Sequence, residues 1–300
     1  MIAVHVHWLL CWMVLSMGME KAPVEASFYQ IDFQTTFHVM GPTQLIRYTL
    51  LLPQDINEVQ EVTKLAFSPQ PKRIYEKHGN KYAEFRIQRP KIDFKVHLHV
   101  QVKTKATSLR KTLSPKRSKS YVPEVGSFLE ASVYQESSHP DIKRLASQLK
   151  QKNPEKTIRA IYRFVQDTLE YKPKLDKDLG AISALQQGIG DCTEFSDLFV
   201  ALCRASGIPA RTVSGWLLQE NIKNPNHHWV EVWINQEWRK IDPSISEEDY
   251  LMDPYPGIAY LLLSPLRIDR VCKTSNDRWV ATSTGNGKVA ASYQYKVKKL

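Results

Sequence analysis

Three residues of this sequence, Cys192, His227 and Asp242, have the types and spacing to do chemistry together. Cys192 follows Asp191 and stands two residues before Glu194, a pairing in which the aspartate caps a helix and the glutamate reaches back to it. Cys192 then becomes the first helical residue. A thiolate there meets unpaired backbone N–H groups and the positive end of the helix, both of which favour the charged, attacking form. His227 opens a segment in which Trp229, Glu231 and Trp233 alternate with Val230, Val232 and Ile234, the period of a strand. Asn235-Gln236 reads as a turn and 238–241 as the return strand, with Asp242 at its end before Pro243. Given a two-residue turn, Asp242 lies opposite Trp229 and His227 is its diagonal neighbour on the same face. A four-residue connection puts His227 directly opposite Asp242, and a three-residue one separates the faces unless a bulge intervenes. A cysteine served by an imidazole that a carboxylate orients is equipment for nucleophilic acyl transfer. His228 points the other way in each register and is not the expected base.

The oxyanion of such a reaction would be met by the Cys192 backbone N–H and a second donor, for which Gln186 and Gln187, just before the nucleophile, are candidates. Trp216 and Trp229 are candidate walls of an acyl-binding groove, with core packing as the alternative. No acidic cluster has the alternating oxygen-ligand spacing of a calcium loop, and Glu247, Glu248 and Asp249 read as an exposed acidic turn.

The elements that must position these residues follow from periodicity. Between residues 28 and 104 apolar and polar residues alternate, as in Ile31, Phe33, Phe37 and Val39, or in Ile92, Phe94, Val96, Leu98, Val100 and Val102, with a turn at Gly79-Asn80. One apolar face per strand implies antiparallel sheets packed as a sandwich, with His97 and His99 on its surface. Residues 105–135 read as a basic linker: the stretch 103–119 carries seven Lys and Arg and no acidic residue. It has no interleaved aromatics on which bases could stack, so nucleic acid is not an expected partner. Residues 136–300 form the second expected domain. Ile142, Leu145, Ala146 and Leu149 make one helical stripe, and Asn153-Pro154 starts a second helix with Ile158, Ile161, Val165 and Leu169 on its inner face. The segment 174–190 reads as a loop. Phe195, Leu198, Phe199 and Leu202 are the buried stripe of the Cys192 helix, which Gly207 and Pro209 terminate.

A net charge of +10 mildly favours anionic partners. The four cysteines, Cys11, Cys192, Cys203 and Cys272, form neither a CxxC pair nor a zinc-like cluster, so no metal or other cofactor is expected. Trp8 to Leu15 is an apolar run with the length of a secretory h-region and too short to span a bilayer. Residues 1–27 are therefore a candidate signal segment, although no Lys or Arg precedes the run. The protein is exported, periplasmic or secreted, if that segment is a signal peptide and cytoplasmic otherwise. No other stretch reads as transmembrane.

The segments GIGDCTEFSDLFVALCRASGIPAR (188–211), NHHWVEVW (226–233) and WRKIDPS (238–244) resemble the three blocks of the bacterial transglutaminase-like domain, within the papain-like superfamily. The resemblance implies an α+β fold, a papain-like transglutaminase core with a helical half and an antiparallel sheet, here preceded by an antiparallel β-sandwich. It also implies that Cys192 is the nucleophile, His227 the base and Asp242 its orienter; the family's usual Ala after the histidine is His228 here. The expected activity is that of a thiol peptidase or amidase acting on a peptide, isopeptide or cell-wall-derived substrate. A protein-glutamine transglutaminase, or a catalytically idle module that binds protein or glycan, are the alternatives.

Overall fold

Alternation in the first third of the chain becomes six antiparallel strands: β1 (Ala26–Met40), β2 (Thr43–Leu52), β3 (Gln60–Ser68), β4 (Arg73–Lys77), β5 (Asn80–Gln88) and β6 (Phe94–Lys105). The computed structural model describes residues 26–56, 60–77, 79–105, 125–173, 175, 178–222, 225–245, 259–264 and 279–300. The candidate signal segment up to residue 25, Cys11, Cys272, residues 106–124 of the basic linker and the acidic turn at 247–249 lie outside the described residues. Along β1 and β6 the registered pairs Ile31 with Val100 and Phe33 with Leu98 put buried residues on one face, while His97 and His99 face outward, His99 onto Asp32 at 2.7 Å. Ile92, expected to lead this apolar series, is 77% exposed and lies before the strand begins.

Two further strands, β13 (Trp279–Gly285) and β14 (Lys288–Lys299), come from the far end of the chain. They complete the sandwich, whose sheets run β14-β1-β6-β3 and β13-β2-β5-β4. This moves a boundary: the sequence reading gave all of 136–300 to the second domain, whereas 279–299 pair along β1 and β2. Strand pairing between residues so far apart in sequence leaves no local signature.

The middle of the chain forms α1 (Pro140–Leu149), α2 (Pro154–Thr168), β7 (Glu170–Tyr171), α3 (Gly180–Gln187), β8 (Ile189–Gly190), α4 (Cys192–Ala205), β9 (Ala210–Leu218), β10 (Asn226–Ile234), β11 (Glu237–Ile241) and β12 (Ala259–Ser264). Asn153 caps α2 through Glu155 N with Pro154 at its first position, as its sequence dictates. The expected loop at 174–190 is corrected by α3, eight residues long, which buries Ala181 and Ala184 and ends at Gly188 in the left-handed conformation. Its apolar stripe is short, and Glu136, not a local cap, accepts the N–H groups of Ala181 and Ile182 at its start. Such a helix depends on tertiary partners.

The third sheet, β11-β10-β9-β12, is covered on one face by two cores in succession. At one end Ala210, Val230, Val232 and Ile241 meet Leu198, Phe199 and Leu202 of α4. At the other, Trp216, Leu218, Leu261 and Leu263 join the core of the sandwich. Trp216 lies against Phe33 (ring centroids 5.4 Å apart) and Tyr295 (5.5 Å), and it is fully buried. The expectation that Trp216 lines a groove is therefore corrected: its ring ties the sandwich to the third sheet. We predict that Trp216→Ala costs about 3–5 kcal/mol of stability, read by urea unfolding, as for a large core aromatic. A groove wall would leave the unfolding midpoint almost unmoved.

Candidate active site

The capping box written in the sequence forms as expected. Asp191 accepts from Thr193 N at 2.8 Å, and Glu194 accepts from Asp191 N at 3.1 Å. Cys192 is thereby the first residue of α4, and it is partly exposed. Glu194 also accepts Leu179 N at 3.0 Å, joining the start of α4 to that of α3. Burial and the charge of Asp191 raise the Glu194 carboxyl to about 7 against the pull of those two N–H groups. Gly190 makes this packing possible, since a Cβ there would stand 2.5 Å from the Cβ of Glu194.

On the sheet side, Asn235 and Gln236 both have positive φ and make the two-residue turn, so that Ile234 pairs with Glu237 and Val230 with Ile241. Of the three registers the sequence allowed, this one puts Asp242 beside Trp229 with His227 on the diagonal. His227 Nε2 lies 2.5 Å from Asp242 Oδ2, and Cys192 is near enough to act on the charge of the imidazole. The other Asp242 oxygen accepts from Ser244 N at 3.1 Å and from Ser244 Oγ at 2.7 Å. The turn that follows is held on α2, where Tyr162 and Gln166 donate to the Ile245 carbonyl and Gln166 also to that of Pro243.

Burial pushes the His227 imidazole down, but Asp242 and Cys192 outweigh it and raise its pKa to about 10. Asp242 moves the opposite way. Burial pushes its carboxyl up, yet His227, Ser244 and Lys240 together hold it below the ordinary carboxylate value. The pair is buried, with Asp242 Oδ2 on His227 and Oδ1 on the two Ser244 donors.

The structure thus sets His227 on Asp242, with Cys192 among the groups whose charge acts on the imidazole. Gln186 and Gln187 close α3 and are exposed at its end, separated from Cys192 by β8. Trp229, proposed as a groove wall, is 1% exposed and lies under the imidazole with ring centroids 6.2 Å apart, a floor for His227. Its ring also packs on Gly215, where a Cβ would stand 2.4 Å from it. Sequence reasoning missed several neighbours. Lys240 is buried with its ammonium 4.9 Å from the Trp229 ring, and burial lowers its pKa to about 7 while Asp242 and Glu231 oppose the change. Glu231, opposite Lys240, is paired with Arg211 at 2.7 Å. The same register that located Asp242 would have found this alternation of charge. Tyr171, half exposed, stands where β7 runs parallel to β8. Burial and then the charges of Cys192, Asp191 and Asp242 raise its hydroxyl to about 12, which puts it beside the site.

A cysteine at the first residue of a helix, packed on an antiparallel sheet that supplies histidine and aspartate, is the architecture of the papain-like class. Residues 143–243 match the family described as the Transglutaminase-like superfamily. The whole fold is similar to the crystal structure of a candidate cysteine protease from Cytophaga hutchinsonii, with a TM-score of 0.67 and 20% identity over 92% of this chain and 91% of that one. An uncharacterized protein of Mycobacterium leprae is 30% identical over 110 residues, 34% of this chain and 38% of the relative. One of Haemophilus influenzae is 26% identical over 201 residues, 61% of this chain and 54% of the relative. The chain spans about half or less of the length of these two relatives. No helix among the described residues is long and apolar enough to cross a membrane.

The raised imidazole makes a signed prediction. Its folded value of about 10 exceeds the unfolded value of about 6.5, so its contribution to stability is complete below pH ~6.5 and is lost as pH rises towards 10. An NMR titration of His227 is expected to show the ring protonated through pH 8. In Asp242→Asn its titration is expected to fall back towards the ordinary histidine range.

Proposed function

We propose that this chain is a cysteine-dependent acyl-transfer enzyme in which Cys192 attacks, His227 moves the proton and Asp242 orients His227. The observation that carries the reading is the contact of His227 Nε2 with Asp242, in an imidazole whose charge Cys192 also favours from the first residue of α4. A protein that needed only a stable core would not place three ionisable groups in one partly open site.

The chemistry follows from those positions. The Cys192 sulfur, as a thiolate facing the protonated His227, adds to an amide or ester carbonyl, forming a tetrahedral oxyanion. The backbone N–H of Cys192 lies in the first turn of α4, where no intrahelical acceptor exists, and is free to donate to that oxygen. The C–N bond then breaks, the imidazolium returns its proton to the leaving amine, and a thioester remains on Cys192. Water added to the thioester, with His227 taking its proton, regenerates the thiol and gives hydrolysis; an amine in the same place gives transamidation. Hydrolysis of a peptide or isopeptide bond is the favoured reading. The net charge of +10 favours acidic substrates, cell-wall peptides among them.

A peptidyl electrophile is expected to label Cys192, identified by mass spectrometry with Cys192→Ala as control. His227→Ala is expected to abolish labelling at neutral pH, and equal labelling of that variant would overturn the assignment of the base. Incorporation of a primary amine into a glutamine substrate, in place of release of free acid, would replace hydrolysis by transamidation.

A further inference from the structure

Cys192 and His227 each have a neighbour, and the two neighbours bridge the elements that carry them. Thr193 Oγ1 and His228 Nδ1 are 3.1 Å apart, and the two residues are 7% and 4% exposed. Thr193 follows Cys192 on α4, and His228 follows His227 on β10, so this hydrogen bond lies one residue along each element from the proposed nucleophile and base. Successive strand residues face opposite sides of a sheet. The first turn of α4 therefore holds His228 on the core side of the strand, while His227 faces the other side with Asp242.

We propose that Thr193 and His228 are a positioning pair that fixes the helix start bearing the nucleophile against the strand bearing the base. This inference rests on the acyl-transfer reading above. The relation of sulfur to imidazole changes during each catalytic cycle, when the sulfur is acylated and the imidazole turns to the leaving group or to water. The hydrogen bond between Thr193 and His228 takes no part in those proton transfers and holds the spacing through them. The strand is held on the other side of His227 as well: Asn226 Oδ1 accepts from Trp216 Nε1 at 3.1 Å, and Asn226 Nδ2 donates to the Tyr293 hydroxyl at 3.2 Å. His227 thus sits between two anchored neighbours. A histidine in this buried position needs its ring nitrogens satisfied, a demand that a small apolar residue would not make.

The test is the rate of Cys192 alkylation by iodoacetamide at pH 6, resolved by peptide mapping, which needs no substrate. Thr193→Val keeps the shape of the side chain and deletes the hydroxyl; Thr193→Ser keeps the hydroxyl. His228→Leu removes the nitrogen, and His228→Asn keeps a hydrogen-bonding atom near the place of Nδ1. Thr193→Val and His228→Leu are each expected to slow alkylation about tenfold, as the loss of one buried hydrogen bond would. Thr193→Ser and His228→Asn are expected to stay within about twofold of the unsubstituted protein, and the Val/Leu double variant to be no slower than either single one. Thr193→Val alkylated at the unsubstituted rate, or losses that simply add, would overturn the pairing. If the unsubstituted protein alkylates at Cys192 no faster than its urea-unfolded chain does, the acyl-transfer reading itself falls.

Discussion

The contact between His227 and Asp242 is the constraint around which the second half of the chain is arranged. Two ions buried together lose hydration that their mutual attraction repays only if geometry and further hydrogen bonds are right. The structure meets that condition from several directions. Ser244 gives Asp242 two donors, Lys240 supplies a nearby cation, and Trp229 supports the imidazole from below. Each of these has its own support. Arg211 and Lys240 flank Glu231 across three strands, Arg211 lies 4.1 Å from the Trp238 ring, and α2 holds the turn after Asp242. The result is a sheet face on which charge alternates in sign and the rings of Trp229 and Trp238 pack against the cations Lys240 and Arg211.

A second requirement is that a helix start be brought to that face. The capping box settles where α4 begins, and the Glu194 carboxylate extends the fastening to α3. The sandwich enters through β9 and through Asn226, whose bonds to Trp216 and Tyr293 link the residue before His227 to the closing strand of the chain. The two parts of the molecule are therefore continuous in their packing, and the geometry at His227 depends on residues nearly seventy positions further along.

What could be read from sequence alone was what local rules govern. Periodicity found the sandwich strands and the stripe of α4, the Asp191–Glu194 pair located Cys192, and the two-residue turn was among the registers that bring Asp242 to His227. What could not be read depended on distant partners. Strands β13 and β14 alternate like many others, and nothing local says that they pair with β2 and β1. Helix α3 has too short a stripe to announce itself. Trp216 and Trp229 are large apolar residues in strands, and only the packed structure separates a core aromatic or an imidazole support from a groove wall. Lys240 is not found by the pattern because buried polar groups run against it, and His228 is set aside because it points away from Asp242, although their partners, Glu231 and Thr193, lie in segments the pattern placed correctly.

The most direct test of the central claim is to look for the covalent intermediate itself. Peptide and cell-wall-fragment substrates would be mixed with the protein, quenched rapidly in acid and examined by intact-mass and peptide mass spectrometry. The account predicts an acyl group attached to Cys192, absent from Cys192→Ala and released by water or by an added amine. Substrate turnover with no such thioester, or with undiminished rate in Cys192→Ala, would contradict it.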